Sequence, residues 1–175
     1  RCAIYYGNPD AGSVQEVRPS TGLLMETHKL PEGIESVPDW DAAAEVLQRG
    51  GSRGGMGYAA RAFQGFNPYG PQKDFAYVFR GYMNISNPGA YGFGLMSTNS
   101  SFLFIDGNLV CSWTGAHSVE RNRQGTYPQS ARVKLGRGLH RFRQITFVFG
   151  DRPISGALWQ RPGKKRWDII PRKAF

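Results

Sequence analysis

The 175 residues suffice for one domain with a real core, and 40% apolar content with 23 Gly and 11 Pro points to a folded, turn-rich β protein rather than a disordered one. No apolar run approaches the ~20 residues of a membrane span, and no secretory leader is visible. Two cysteines, Cys2 and Cys111, are too few for a disulfide framework or a zinc site of usual spacing, and are expected as free thiols. The net charge of +9 is uneven: residues 1–120 hold 8 Lys/Arg against 11 Asp/Glu, and residues 121–175 hold 14 against 2. Such a basic half is the kind of surface a polyanion uses. Arg132, Lys134, Arg141 and Arg143, however, alternate with apolar residues, as on the solvated face of a strand.

The first octapeptide, Cys2 to Pro9, reads as a short strand closed by a Gly-Asn-Pro turn. It resembles the closing strand of a family of bacterial extracellular β-sandwich domains of unknown function. That resemblance implies that residues 1–38 are the tail of an upstream domain followed by a linker, Asp10 to Pro38, and that the chain is a piece of something longer. Residues 39–49 are the one helix: Asp39 is the expected N-cap, Gly50-Gly51 the stop, and Trp40, Ala43, Ala44 and Leu47 form an apolar stripe expected to dock on a sheet edge. The glycine run Gly50–Gly57 leaves a helix instead of a strand and lacks Gly-Lys-Ser/Thr, so a flexible connection is expected instead of a phosphate loop.

From Phe75 onward the pattern is of successive strands: Phe75–Ile85, Gly89–Met96, Phe102–Ile105, Leu109–Trp113, Ala131–Leu135, Leu139–Phe149 and Gly156–Gln160. Tyr91, Phe93 and Leu95 alternate with Gly92, Gly94 and Met96, which puts the large side chains on one face and leaves room on the other for a second backbone. Asp106-Gly107 between two apolar runs predicts a tight hairpin with positive φ at both residues. The polar stretch Thr114–Ser130 is expected to be a surface loop.

Ile85 with Gly89-Ala-Tyr-Gly-Phe93, Ser97 with Ser101-Phe-Leu-Phe-Ile-Asp-Gly-Asn-Leu-Val110, Gly115-Ala-His117, Val133-Lys-Leu-Gly-Arg-Gly-Leu-His140, and Leu158-Trp-Gln-Arg-Pro-Gly163 with Trp167 and Ile170-Pro171 stand in the order seen in the PA-fourteen domain family. The resemblance runs over about residues 75–175. It implies a mainly β, antiparallel sandwich or barrel with one short N-terminal helix, residues 39–175 forming the domain, and in many members carbohydrate binding outside the cell. Sugar-binding members resemble one another in a Ser-Asp-Asp-Gly-Ser loop whose aspartates hold calcium. Here Ser97-Thr-Asn-Ser-Ser101 stands in its place, without either aspartate, so no metal or other cofactor is expected at this loop.

No catalytic constellation emerges. Asp106 is explained by its turn, His117 and His140 lack partners at metal-ligand spacing, Ser112 near His117 lacks a nucleophile elbow, and two acidic residues after position 120 are hard to assemble into a paired-carboxylate site. The reading is a non-catalytic carbohydrate-binding or adhesion-type module of a larger bacterial secreted or envelope protein, with other domains of the parent chain as partners. Trp113, Trp159, Trp167 and Tyr127 are the candidate sugar-stacking planes, and Asn99, Arg123 and Gln160 the hydrogen-bond partners. The alternatives are a structural spacer, or a binder of nucleic acid or acidic polysaccharide through Arg161, Lys164, Lys165, Arg166, Arg172 and Lys173.

Overall fold

A computed structural model describes residues 22–50, 53–117, 119 and 129–175. The strand expected at Cys2–Pro9 and the sites expected at Arg123 and Tyr127 lie outside the described residues, as does Cys2. In chain order the elements are β1 (Leu23–Lys29), α1 (Trp40–Arg49), β2 (Arg53–Ala59), β3 (Phe63–Gln64), β4 (Phe75–Ile85), β5 (Gly89–Ser97), β6 (Ser101–Ile105), β7 (Asn108–Trp113), β8 (Ser130–Leu135), β9 (Gly138–Val148), β10 (Ser155–Gln160) and β11 (Asp168–Ile169), followed by a 3-10 turn, Arg172–Ala174. The strands form two antiparallel sheets, one ordered β2-β1-β4-β9-β6-β7 and the other β11-β10-β5-β8, with β3 also paired to β10. The fold is therefore a mostly antiparallel β-sandwich.

The alternation of side chains decides how the layers assemble. Phe75, Tyr77 and Phe79 of β4, Tyr91, Phe93 and Leu95 of β5, Leu103 and Ile105 of β6 and Phe142 of β9 point inward and make the core between the sheets. Residues of opposite parity, Ala76, Val78, Phe102, Phe104, Ile145 and Phe147, form a second apolar layer on the outer face of the six-stranded sheet. Helix α1 covers that layer. Its start is as the sequence predicts, the Asp39 side chain accepting the Ala42 N–H at 2.8 Å. Its docking is not: Ala43 and Val46 are buried against the sheet face instead of its edge, and Trp40 meets Phe104 edge-on at 4.6 Å. Three central strands with apolar residues on both faces leave a broad surface that only a covering element can bury.

Two further expectations are corrected. The linker expected over Asp10–Pro38 holds β1, which pairs with β4 along Leu24–Lys29 and buries Leu23 and Met25 in the core. The glycine run expected to be a flexible connection holds β2, paired with β1 from Leu23↔Ala59 to His28↔Arg53. Glycine is required there because the Tyr69 ring lies on the strand: a Cβ at Gly55 would stand 2.5 Å from Tyr69 Cγ. The space opposite Tyr91 and Phe93 is likewise filled by a side chain and not by a second backbone, since a Cβ at Gly92 would stand 2.9 Å from the Trp167 indole.

The hairpin is as predicted. Asp106 and Gly107 have φ of 53° and 86° and join β6 to β7 by a two-residue turn of the kind whose twist matches the strands.

Candidate functional site

A hollow of about 820 Å³ opens where the β5–β6 turn, the segment following β7 and the β9–β10 connection converge. Thr98, Asn99, His117, Asp151, Arg152 and Pro153 are among its lining residues. Its walls are tied together by the polar side chains of the turn. Thr98 Oγ1 donates to the Arg152 carbonyl at 3.1 Å, and the Thr98 carbonyl accepts the His117 N–H at 3.0 Å. Ser100 Oγ donates to the Val37 carbonyl at 2.6 Å and accepts the Gly115 N–H at 3.0 Å. Asn99 Oδ1 accepts the Phe149 N–H at 3.3 Å, leaving its amide Nδ2 as a donor without a partner among the described residues.

Beneath the hollow lies a buried polar seam. The Ser97 hydroxyl is hydrogen-bonded to Ser101 Oγ at 2.9 Å and to His117 Nε2 at 3.0 Å. The His117 ring stacks flat on Trp113, with centroids 3.7 Å apart and planes 5° from parallel. Burial pushes the His117 imidazole below its ordinary value, so the ring is neutral at neutral pH. The seam therefore supplies rigidity in place of charge.

The exposed chemistry is a set of neutral donors and acceptors beside one carboxylate and one guanidinium, Asp151 and Arg152. Such groups match the hydroxyls of a sugar, each able to donate and accept. A calcium site wants six or more oxygens, several of them charged, whereas the described residues bring a single carboxylate to this hollow. No group of three or more His, Cys, Asp or Glu able to hold a metal occurs among the described residues.

Of the seven binding residues read from the sequence, Asn99 lines the hollow and Trp113 stands behind it, half-buried, supporting His117. Trp159 and Gln160 belong instead to β10 of the other sheet, and Trp167, just before β11, packs on that sheet. Trp159 is 7% exposed, in the core against Tyr91 at 5.6 Å, and Trp167 is 9% exposed, covering Leu158 and Gly92 from outside. Neither presents the open ring face expected of it, because each fills a gap beside small residues or the rings of β5. Gln160 is engaged at both ends, accepting from Arg132 Nη2 at 2.9 Å and donating to the Lys165 carbonyl at 2.9 Å. His117, expected as a core or strand-end histidine, is partly that and also a wall of the hollow. Thr98 was legible only through the loop resemblance; Asp151 and Arg152 carried no local signal, since nothing within their loop says that two others meet it.

Residues 59–143 match the PA14 domain family model. The match runs from the end of β2 to β9 and includes Thr98, Asn99, Trp113 and His117. The fold is similar to that of the PA14 domain of the antifreeze protein MpAFP, with a TM-score of 0.69 at 12% identity over 92% of this chain and 94% of that one. A PA14 sugar-binding domain from an RTX adhesin is similar at TM-score 0.67 and 12% identity, over 87% of this chain and 96% of that one. The A domain of epithelial adhesin 6 from Candida glabrata, solved with Galb1-3GlcNAc, is similar at 0.62 and 14%, over 93% and 88%. An anti-sigma factor domain-containing protein is also similar, at 0.65 and 12%, but this chain spans only 48% of its length. No curated protein matches the chain. No helix among the described residues is long and apolar enough to cross a membrane.

Proposed function

We propose that this PA14-like domain is a non-catalytic carbohydrate-binding module of a larger bacterial secreted or envelope protein, acting outside the cell and binding glycan in the hollow at Asn99 without calcium. The observation that carries the reading is the hollow itself, whose turn is pinned on three sides by its own hydroxyls and carbonyl while the Asn99 amide stays available. Pre-organised polar groups of this kind lower the ordering cost of binding. The sugar-binding PA14 domain of an RTX adhesin and the epithelial adhesin domain solved with Galb1-3GlcNAc support it as a matter of fold. A non-catalytic role is favoured because Ser97, the serine paired to His117, is fully buried and bonded to Ser101, so its hydroxyl is not presented to a substrate.

A glycan array in EDTA, run with the wild type and with Asn99→Asp, tests this. The variant keeps the acceptor for Phe149 N–H but loses the free donor, so affinity is expected to fall about tenfold, ~1.4 kcal/mol, with an unchanged melting temperature. An array silent for the wild type, or binding indifferent to Asn99→Asp, overturns the reading and leaves the spacer. The second reading, polyanion binding, is supported by Arg161 and Lys173, which flank one groove with Arg61 beside Trp159. Arg166, also in the basic set, is paired with Asp168 at 2.7 Å. Salt-sensitive retention on DNA with a silent array would favour that alternative.

A further inference from the structure

A second cleft, of about 330 Å³, lies between α1 and the outer face of the six-stranded sheet and shares no lining residue with the hollow at Asn99. Glu26 and His28 of β1, Arg80 of β4, Arg143 of β9 and Trp40 and Gln48 of α1 line it. The Glu26 side chain is only 3% exposed, and its carboxylate is already committed: it is paired with Arg80, with Arg53 at 3.4 Å and with His28 Nε2 at 3.4 Å. Arg143 has no carboxylate within ion-pair distance among the described residues. Its guanidinium lies instead over the Trp40 ring at 5.5 Å and near the Phe104 ring at 5.9 Å.

We propose that this cleft binds a sugar-sized ligand carrying one oxyanion, a uronic acid or a sugar sulfate, with Arg143 and Arg80 taking the anion and the Trp40 side of α1 taking the ring. Arg53 and Arg80 share the Glu26 carboxylate and Arg143 has none within ion-pair distance among the described residues, which leaves two positive charges in excess. The rings of Trp40 and Phe104 hold the exposed Arg143 guanidinium in place, so an incoming carboxylate or sulfate meets a cation already positioned. Burial and the neighbouring Arg80 charge push the Arg143 guanidinium down from its ordinary value, which is the direction for a cation short of a partner. The volume is at the small end of ligand sites, the size for one ring rather than a chain. A dense phosphodiester backbone needs a track of cations, whereas two guanidinium groups, Arg80 and Arg143, line this cleft among the described residues.

Isothermal titration with glucuronate, glucose, inorganic sulfate and duplex DNA, on wild type, Arg143→Gln, Arg143→Lys and Asn99→Asp, tests the proposal. Glucuronate is expected to bind saturably in the millimolar range, about tenfold more weakly to Arg143→Gln, partly restored in Arg143→Lys and unchanged in Asn99→Asp; glucose is expected to stay silent. The Asn99→Asp arm separates failure here from failure of the hollow. Melting curves of the variants exclude an unfolded protein as the cause. Glucuronate binding that ignores Arg143→Gln, glucose binding as tightly as glucuronate, or no binding of either anion overturns it. Sulfate matching glucuronate would assign the cleft to a free oxyanion and remove the sugar from the proposal, and duplex DNA lost with Arg143→Gln would replace it with nucleic acid.

Discussion

His140 Nδ1 stands 2.7 Å from Asp106 Oδ2, while Asp106 Oδ1 accepts the Arg141 N–H at 2.8 Å, so the first residue of the β6–β7 turn is clamped to β9 by both carboxylate oxygens. The turn and the strand beside it are thereby one unit. The Asp106 hydrogen bond pushes the His140 imidazole above 6.5, outweighing its partial burial. Burial pushes the Asp106 carboxyl up, but His140 and the Arg141 N–H together outweigh it and hold it below 3.8.

The pH dependence follows from those two directions. A raised imidazole contributes stability that is complete below 6.5 and is lost as pH rises through its folded value; a lowered carboxyl contributes stability complete above 3.8 and lost as pH falls through its folded value. The pair is therefore at full strength between about 4 and 6.5. With the Asp106 side chain 47% exposed, the contribution is about 0.5 kcal/mol. NMR titration should find His140 titrating above 6.5 and His117 below it, and Asp106→Asn should bring His140 back toward 6.5. Parallel titration of the two imidazoles would contradict the clamp.

Gly107→Ala should cost about 1 kcal/mol through backbone conformation alone. Its φ is 86°, yet a Cβ there would meet nothing within 4 Å, so no steric term adds to the conformational one. Urea denaturation with an unchanged m-value checks this. A loss above ~3 kcal/mol would mean that the space around the turn is not open.

Gly55→Ala is a different case, because the added methyl collides with Tyr69 at 2.5–2.8 Å. Overpacking of this kind costs about 1–3 kcal/mol. In a Tyr69→Ala background the same substitution should cost at least ~1 kcal/mol less, since the two residues are in contact. Additive losses in the double-mutant cycle would show that Tyr69 does not lie on β2 in solution.

Calcium should leave stability unchanged. Binding to the native state alone adds RT ln(1 + [Ca]/Kd), about 2.7 kcal/mol at a hundredfold excess, enough to raise the melting temperature by several degrees. Thr98 and Asn99 stand where the resemblance would place aspartates, and Asp151 is the only carboxylate lining the hollow among the described residues. A differential scan at millimolar calcium should superimpose on one in EDTA.

The sequence by itself determined what depends on neighbours along the chain. Period-two alternation marked β4 to β10 within a residue or two, Asp39 marked the start of α1, and Asp106-Gly107 marked its hairpin, since local sterics and hydrogen bonds settle each. Tertiary structure decided what depends on who lies opposite. β1 looked like linker because its polar Glu26 and His28 face a cation cluster contributed by β2 and β4. β2 looked flexible because its glycines make room for Tyr69, which is distant in sequence. Trp159 and Trp167 looked like binding planes because an indole's composition is the same in a core as in a site; burial, which only packing sets, separates the two. The hollow at Asn99 is the clearest instance: its walls come from four separate segments brought side by side by sheet topology, so no single stretch of sequence contains it.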